Sequence, residues 1–238
     1  MSNTTLKIIA CVSMLIDHIG YILFPEYIIF RYLGRIAMPI FAFFIGIGCR
    51  YTKNKLKYLS QILLLGVFCQ IVSTINDLIT GNFNNIYSNI LITFSLSIVI
   101  CFAYLHLENA IKQNQKSEIA KCGCLFLFCL LGVFCVLRFT DNIIGIPFSV
   151  DYGWRGVLLP LCACVFTKKP HQLILFGLGL VVPMILLQKG FYFTLFSALA
   201  LIFLYFYNGE YGNRKLKYLF YIFYPTHLAI LHLISLII

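Results

Sequence analysis

Nine times in 238 residues this chain runs predominantly apolar for a stretch about as long as a membrane-crossing helix. A helix rises about 1.5 Å per residue, so about 20 apolar residues cover the hydrocarbon core of a bilayer. Such segments lie at 6–24, 32–51, 56–75, 88–107, 121–139, 153–168, 171–188, 191–207 and 217–236. The runs are continuously apolar, whereas the strands of a membrane barrel alternate apolar and polar residues. Helices are therefore expected. The composition agrees: 61% of residues are hydrophobic and 11% charged, against about 45–50% and about 25% in ordinary soluble domains. A soluble globule has too little polar surface here to cover itself, and a disordered chain or a secreted disulfide scaffold is equally excluded. The expectation is an all-α polytopic transmembrane helix bundle of about nine helices, in one domain over 1–238, without internal repeats or a dividing linker. The sixth and seventh segments are short and meet at Lys168-Lys169-Pro170.

The net charge of +10 comes from 18 Lys and Arg against 8 Asp and Glu. A nucleic-acid partner needs those cations in one water-facing patch; here they are scattered in small groups between apolar runs. With the N-terminus in the cytoplasm and the C-terminus outside, the inner ends carry 13 of the 18 cations, from Lys7 through Arg50, Lys53, Lys55 and Lys57 to Arg214, Lys215 and Lys217. This is the positive-inside pattern of a multi-pass protein of the cytoplasmic membrane, whose solvent is membrane lipid. The first segment is expected to stay as a helix rather than leave as a signal peptide, because Asp17-His18 interrupts it and no small-residue cleavage site follows. The ten cysteines sit inside the apolar runs, where Cys behaves as a small hydrophobe. The one-residue gaps in Cys122-Gly-Cys124 and Cys162-Ala-Cys164 do not suit zinc, and no metal is expected.

In such a chain the informative residues are those that hydrocarbon excludes, since a charge near mid-bilayer costs roughly 2.5–3.5 kcal/mol and normally faces a partner or a wet cavity. Asp17 and His18 lie well inside the first segment. Neighbours on a helix point about 100° apart, so Asp17 is expected to pair with a cation from another helix, leaving His18 free. Arg31 and Arg35 enter the second segment four residues apart, followed by Pro39, which loosens the helix there. Arg35 is the expected partner of Asp17, with Arg31 nearer the outer headgroups; Gly46 and Gly48 allow close helix contact further down. Asp151-Tyr-Gly-Trp-Arg155-Gly opens the sixth segment with a carboxylate, an Arg and two aromatics, which also suits an interfacial anchor. His227 follows Pro225 in the last segment, and either it or Thr226 is placed to face an interior cavity. No phosphate-cradling loop, nucleophile elbow or metal-ligand spacing occurs. Two classes remain: an enzyme with His as its base, or a small proton-coupled transporter with Asp17 and His18 as its relay. Transporters often carry matching interrupted repeats, and their absence tilts the reading toward an enzyme.

Five pieces in order resemble the TraX family: Met14-Leu-Ile-Asp17-His18-Ile-Gly20, Gly34-Arg35-Ile-Ala-Met-Pro39-Ile-Phe-Ala-Phe, Asn89-Ile-Leu-Ile-Thr93, Asp151-Tyr-Gly, and Phe220-Tyr-Ile-Phe-Tyr-Pro225-Thr-His227-Leu. Met38 departs from the family, where Phe is expected. The founding member is associated with N-terminal acetylation of conjugative pilin. The resemblance implies a membrane acyltransferase that moves an acetyl group from cytoplasmic acetyl-CoA to an amine or hydroxyl of a cell-envelope acceptor or exported peptide. On that reading His18 is general base or transient acyl acceptor, Asp17 and Arg35 hold the site, and Arg155 or His227 steadies the oxyanion. Asp151 belongs with them. The CoA phosphates are expected near Lys53, Lys55, Lys57, Arg214 or Lys215, with a passage through the bundle to His18.

Overall fold

The computed structural model describes residues 1–79, 86–139, 148–188, 190–210, 212–213, 217–235 and 237. Arg214 and Lys215 lie outside the described residues. The helices, in chain order, are α1 (Asn3–Ile22), α2 (Ile28–Gly34), α3 (Ala37–Tyr51), α4 (Lys55–Ile79), α5 (Ile90–Lys112), α6 (Lys116–Phe139), α7 (Gly153–Val165), α8 (Lys169–Leu186), α9 (Phe191–Tyr205) and α10 (Lys217–Ser235). Strands β1 (Ile86–Ser88) and β2 (Phe148–Val150) pair in parallel, with Tyr87 opposite Ser149. Because α2 and α3 form one interrupted candidate span, Ile28–Tyr51, nine helical segments stand among the described residues where the hydropathy pattern puts nine. Six of these are long and apolar enough to cross a membrane. The chain is an all-α, multi-pass membrane protein.

Capping residues set several helix starts. Ser2 Oγ accepts the Thr5 N–H ahead of α1, and Asn54 Oδ1 accepts the Lys57 N–H ahead of α4. Asn89 Oδ1 accepts the N–H groups of Leu91 and Ile92 ahead of α5. Each satisfies a donor that the first helical turn leaves without a partner. Pro170 stands in the first turn of α8, where its missing N–H costs nothing. Two segments are shorter than the hydropathy implies. Helix α7 has 13 residues and ends at Phe166, whose backbone is extended; α9 has 15.

The helices gather into two compact units, Met1–Phe43 with Lys168–Ile238, and Phe44–Thr167. In the first, α1 packs against α2 and α10, and α9 against α2 and α8. Leu6, Ala10, Phe43, Phe176, Ala200 and Leu204 are buried there, with the Phe43 and Phe176 rings edge to face at 5.3 Å. In the second, α5 is central and packs against α4, α6 and α7. Ile100, Val133 and Val157 form a core cluster, and Trp154 packs against it and against the Phe134 ring. Trp154 is thus wedged between helices, beyond a purely interfacial anchoring role. Between Cys124 and Val136 the exposed residues of α6 are all uncharged and mostly apolar, with Phe128 73% exposed, which a lipid environment tolerates over such a length.

Glycine decides one contact in the second unit. A Cβ on Gly46 would strike the Pro160 carbonyl and come within 2.8 Å of Ala163 Cβ, whereas Gly132 faces open space. Small residues of this kind let membrane helices approach closely. Gly46→Ala is expected to destabilise the protein by about 1–3 kcal/mol, the usual cost of overpacking. Gly132→Ala, which only adds helix propensity, should leave the midpoint unchanged or raise it. Thermal unfolding of both variants in detergent measures the contrast.

Candidate functional site

The short helix α2 ends at Gly34, and the chain turns at Arg35 and Ile36 before α3 starts at Ala37. The break precedes Pro39, which takes the third position of α3, where no intrahelical N–H is needed. Ending a helix leaves its last carbonyls without partners. Here Arg35 Nε donates to Arg31 O at 3.0 Å and Ser13 Oγ donates to Leu33 O at 2.7 Å. The interruption therefore costs few hydrogen bonds and fixes α2 against α1.

Asp17 is clamped from both sides. Arg31 Nη1 donates to Oδ2 and Arg35 Nη2 to Oδ1, each at 2.8 Å. The carboxylate and Arg35 side chains are each 14% exposed and that of Arg31 is 28%. Arg35 is the partner that the sequence suggests; Arg31 joins it rather than reaching only for headgroups, because both project from one face of α2 and its end. Gly34 makes room, since a Cβ there would run into the Asp17 side chain. The Arg35 guanidinium lies 5.4 Å from the Phe193 ring and that of Arg31 4.9 Å from the Tyr21 ring, so apolar faces carry what the carboxylate does not. Tyr32, on the same helix, stacks into Tyr192, Phe193 and Phe196 of α9.

His18 points away from Asp17, as adjacent positions on a helix require, but it is not free. Its Nδ1 lies 2.9 Å from Met14 O and 3.2 Å from Nε2 of His227 in α10. His227 Nδ1 lies 2.7 Å from Phe223 O. A carbonyl oxygen only accepts, so each Nδ1 carries a hydrogen; this tautomer assignment follows from the hydrogen-bond network. In the neutral pair, His227 Nε2 is then bare and accepts the second interaction of the His18 Nδ1–H. The lone pair of His18 Nε2 is left over. That atom makes no hydrogen bond among the described residues, and the residue is half-buried. Of the two candidates beyond Pro225, His227 is buried and Thr226 exposed, its hydroxyl donating back to Ile222 O.

All of these groups belong to the first unit; Asp151, Arg155, Lys53, Lys55 and Lys57 belong to the second. There Asp151 accepts the Tyr87 hydroxyl on Oδ1 at 2.6 Å, and its backbone carbonyl accepts Thr93 Oγ1 at 2.9 Å. The Asn89-to-Thr93 and Asp151 motifs thus meet beside the β1–β2 pair. Tyr152 has a φ of 59° and Gly153 one of 50°, a left-handed turn that starts α7 with Arg155 in its first turn, half-buried. Lys55 Nζ donates to His106 Nε2 at 3.4 Å and lies 5.5 Å from the Phe102 ring. Lys53 and Lys57 are exposed. The sequence reading missed a second ion cluster. Arg50, counted there only as a topology signal, donates to both oxygens of Glu108 and to the carbonyls of Cys164 and Val165, and its side chain is 10% exposed. Glu108 near the end of an apolar run was its one visible sign.

The Asp17 cluster gives a graded stability prediction. Asp17→Asn strands two cations, and removing one partner of a buried pair costs about 3–5 kcal/mol. Arg31→Gln leaves the Asp17–Arg35 pair in place and should cost clearly less. Midpoints of thermal unfolding in detergent should fall in that order.

The family model described as TraX protein matches residues 2–235. Over 249 aligned residues the chain is 25% identical to "Probable fimbrial assembly protein FimC, serogroup H1" of Dichelobacter nodosus, covering 95% of this chain and 92% of that protein. Over 70 residues it is 49% identical to an uncharacterised protein of Rickettsia prowazekii (strain Madrid E), covering 29% of this chain and 26% of that one. No solved structure matches it. With the family model matched along nearly its whole length, and the His18, Arg35 and His227 motifs assembled in one unit, the chain belongs to the TraX family.

Proposed function

We propose that this protein is an acyltransferase of the cytoplasmic membrane. It moves an acetyl group from acetyl-CoA to an amine or hydroxyl of a cell-envelope or exported acceptor. The observation that carries the reading is the order of donors and acceptors in the histidine pair. Both Nδ1–H groups are committed, so His18 Nε2 keeps its lone pair as a base whose tautomer the backbone has already chosen. A base held in the correct tautomer within reach of a nucleophile contributes about 10²–10⁴-fold to a rate. Family membership supports the reading, and the relative named for fimbrial assembly is consistent with an exported protein as acceptor.

His18 Nε2 takes the proton from the attacking amine or hydroxyl and releases it when the leaving group departs. While the ring is charged, its Nδ1–H strengthens its interaction with His227 Nε2, so His227 positions the base and spreads its charge. Asp17, locked by Arg31 and Arg35, fixes the turn of α1 that carries His18. Bound acetyl-CoA supplies an activated thioester carbonyl and a thiol leaving group. Its phosphates suit Lys53, Lys55 and Lys57 of the second unit, three cations with no ion pair among the described residues. Asp151 and Arg155 are proposed to serve the acceptor side.

Two measurements test this with labelled acetyl-CoA and purified protein. His18→Gln should abolish acyl transfer or CoA release. His227→Phe should lower kcat about tenfold, the worth of one hydrogen bond in barrier height, with partial recovery in His227→Gln, whose amide oxygen accepts the same proton. Unchanged turnover in folded His18→Gln protein defeats the mechanism, and proton flux without any CoA release replaces it by the transporter. The triple variant Lys53→Gln, Lys55→Gln, Lys57→Gln should raise the KM for acetyl-CoA at unchanged kcat; an unchanged KM removes these lysines from the donor site.

A further inference from the structure

Among the described residues, two ion clusters each join two cations to one carboxylate, and they use their donors differently. Around Glu108 the guanidinium is consumed: Arg50 places Nε on Cys164 O at 2.7 Å and Nη2 on Val165 O at 3.0 Å and on Glu108 at 2.9 Å, with Nη1 also on Glu108. The second cation there, Lys112, has a side chain that is 63% exposed and hydrated. Arg50 thus ties Glu108 to the last carbonyls of α7 and spends four of its five N–H groups in doing so.

Around Asp17 the outcome is the opposite. Both carboxylate oxygens are taken, one by each arginine. The bond from Nη1 to Asp17 is the one hydrogen bond the Arg31 guanidinium makes among the described residues. Of its five N–H groups, those on Nε and Nη2 remain. Glu26, the acid nearest in sequence, forms no ion pair among the described residues. The Arg31 guanidinium itself is 28% exposed and steadied against the Tyr21 ring.

We infer that Arg31 is an oxyanion site: the edge of its guanidinium that faces away from Asp17 takes a phosphate or carboxylate in the two-pronged geometry that guanidinium favours. The ligand is either an anionic group of the acyl acceptor or the headgroup of a phospholipid; the chemistry is shared. The role in acceptor choice rests on the acyl-transfer reading, whereas the site itself does not. Held by Arg31, which grips the residue next to His18, an acceptor is anchored through its anion while its amine or hydroxyl approaches the base.

The test uses the whole protein in maltoside detergent, which contains no phosphate, and follows inorganic phosphate by thermal shift and by phosphorus NMR line broadening. Wild type should bind phosphate saturably. Arg31→Gln should lose at least about tenfold in affinity, the worth of one charge-assisted hydrogen bond. Arg31→Lys, which keeps the charge beside Asp17 and so keeps the fold, should lose less, because a point charge replaces a planar fork. Equal affinity in all three, or no saturable binding, overturns the proposal. Adding phosphatidylglycerol separates the sources: competition with phosphate assigns the site to a headgroup, persistence assigns it to a soluble acceptor, and either outcome keeps the oxyanion site. Phosphate binding without acetyl-CoA turnover would defeat the acyl-transfer reading and leave this one standing; turnover without phosphate binding would do the reverse.

Discussion

The first unit is organised by the cost of leaving a charge unpaired among apolar helices. Asp17 is the one acidic residue of the largely apolar α1, and a lone carboxylate there is worth several kcal/mol of disruption. The fold answers with two guanidiniums, and both come from the one place where the chain is bent to deliver them, the end of α2. Other features of that end serve the same purpose. Gly34 clears the space, the break before Pro39 turns Arg35 inward, and Ser13 and Arg35 satisfy the carbonyls that the break exposes. The turn of α1 that carries Asp17 also carries His18, so the electrostatic demand of one residue fixes the orientation of the next.

The second unit solves the same problem for a different end. Arg50 and Glu108 sit near the termini of α3 and α5, and the arginine spends its remaining donors on carbonyls that α7 cannot satisfy itself. That arrangement is complete in itself and reads as structure. The pair of histidines is not closed in this way: one ring nitrogen keeps its lone pair without a hydrogen bond among the described residues after the backbone demands are met. A fully satisfied polar network rigidifies a core, and the histidine pair leaves one acceptor open.

Much of this was legible in the residues, and the reasons for what was not are physical. All nine segments were visible, because hydropathy over about 20 residues is a strong signal; α7 and α9 came out shorter, since capping and backbone turns are set by one or two residues that hydropathy averages away. That Asp17 would find a cation followed from the cost of burying it, and Arg35 was the right choice. The share taken by Arg31 depended on where α2 breaks, and only the turn at Arg35 and Ile36 reveals that. Nor could His18 be tied to His227, because contact between α1 and α10 depends on the rotation of each helix about its own axis. The Arg50 and Glu108 pair stayed hidden for a simpler reason: charges at the ends of apolar runs look like address labels whether or not they pair.

The two halves of the His18 environment are separated in synthesis as well as in chemistry. The clamp on Asp17 closes within the first 35 residues, whereas His18 and His227 are 209 positions apart. A ribosome-bound chain can therefore settle its costly charges as soon as the first hairpin enters the bilayer. The imidazole of His18 waits for the last helix before its Nδ1–H has its second acceptor. Between those two lengths a nascent chain can hold Asp17 neutralised while the contact between His18 and His227 is still to be made.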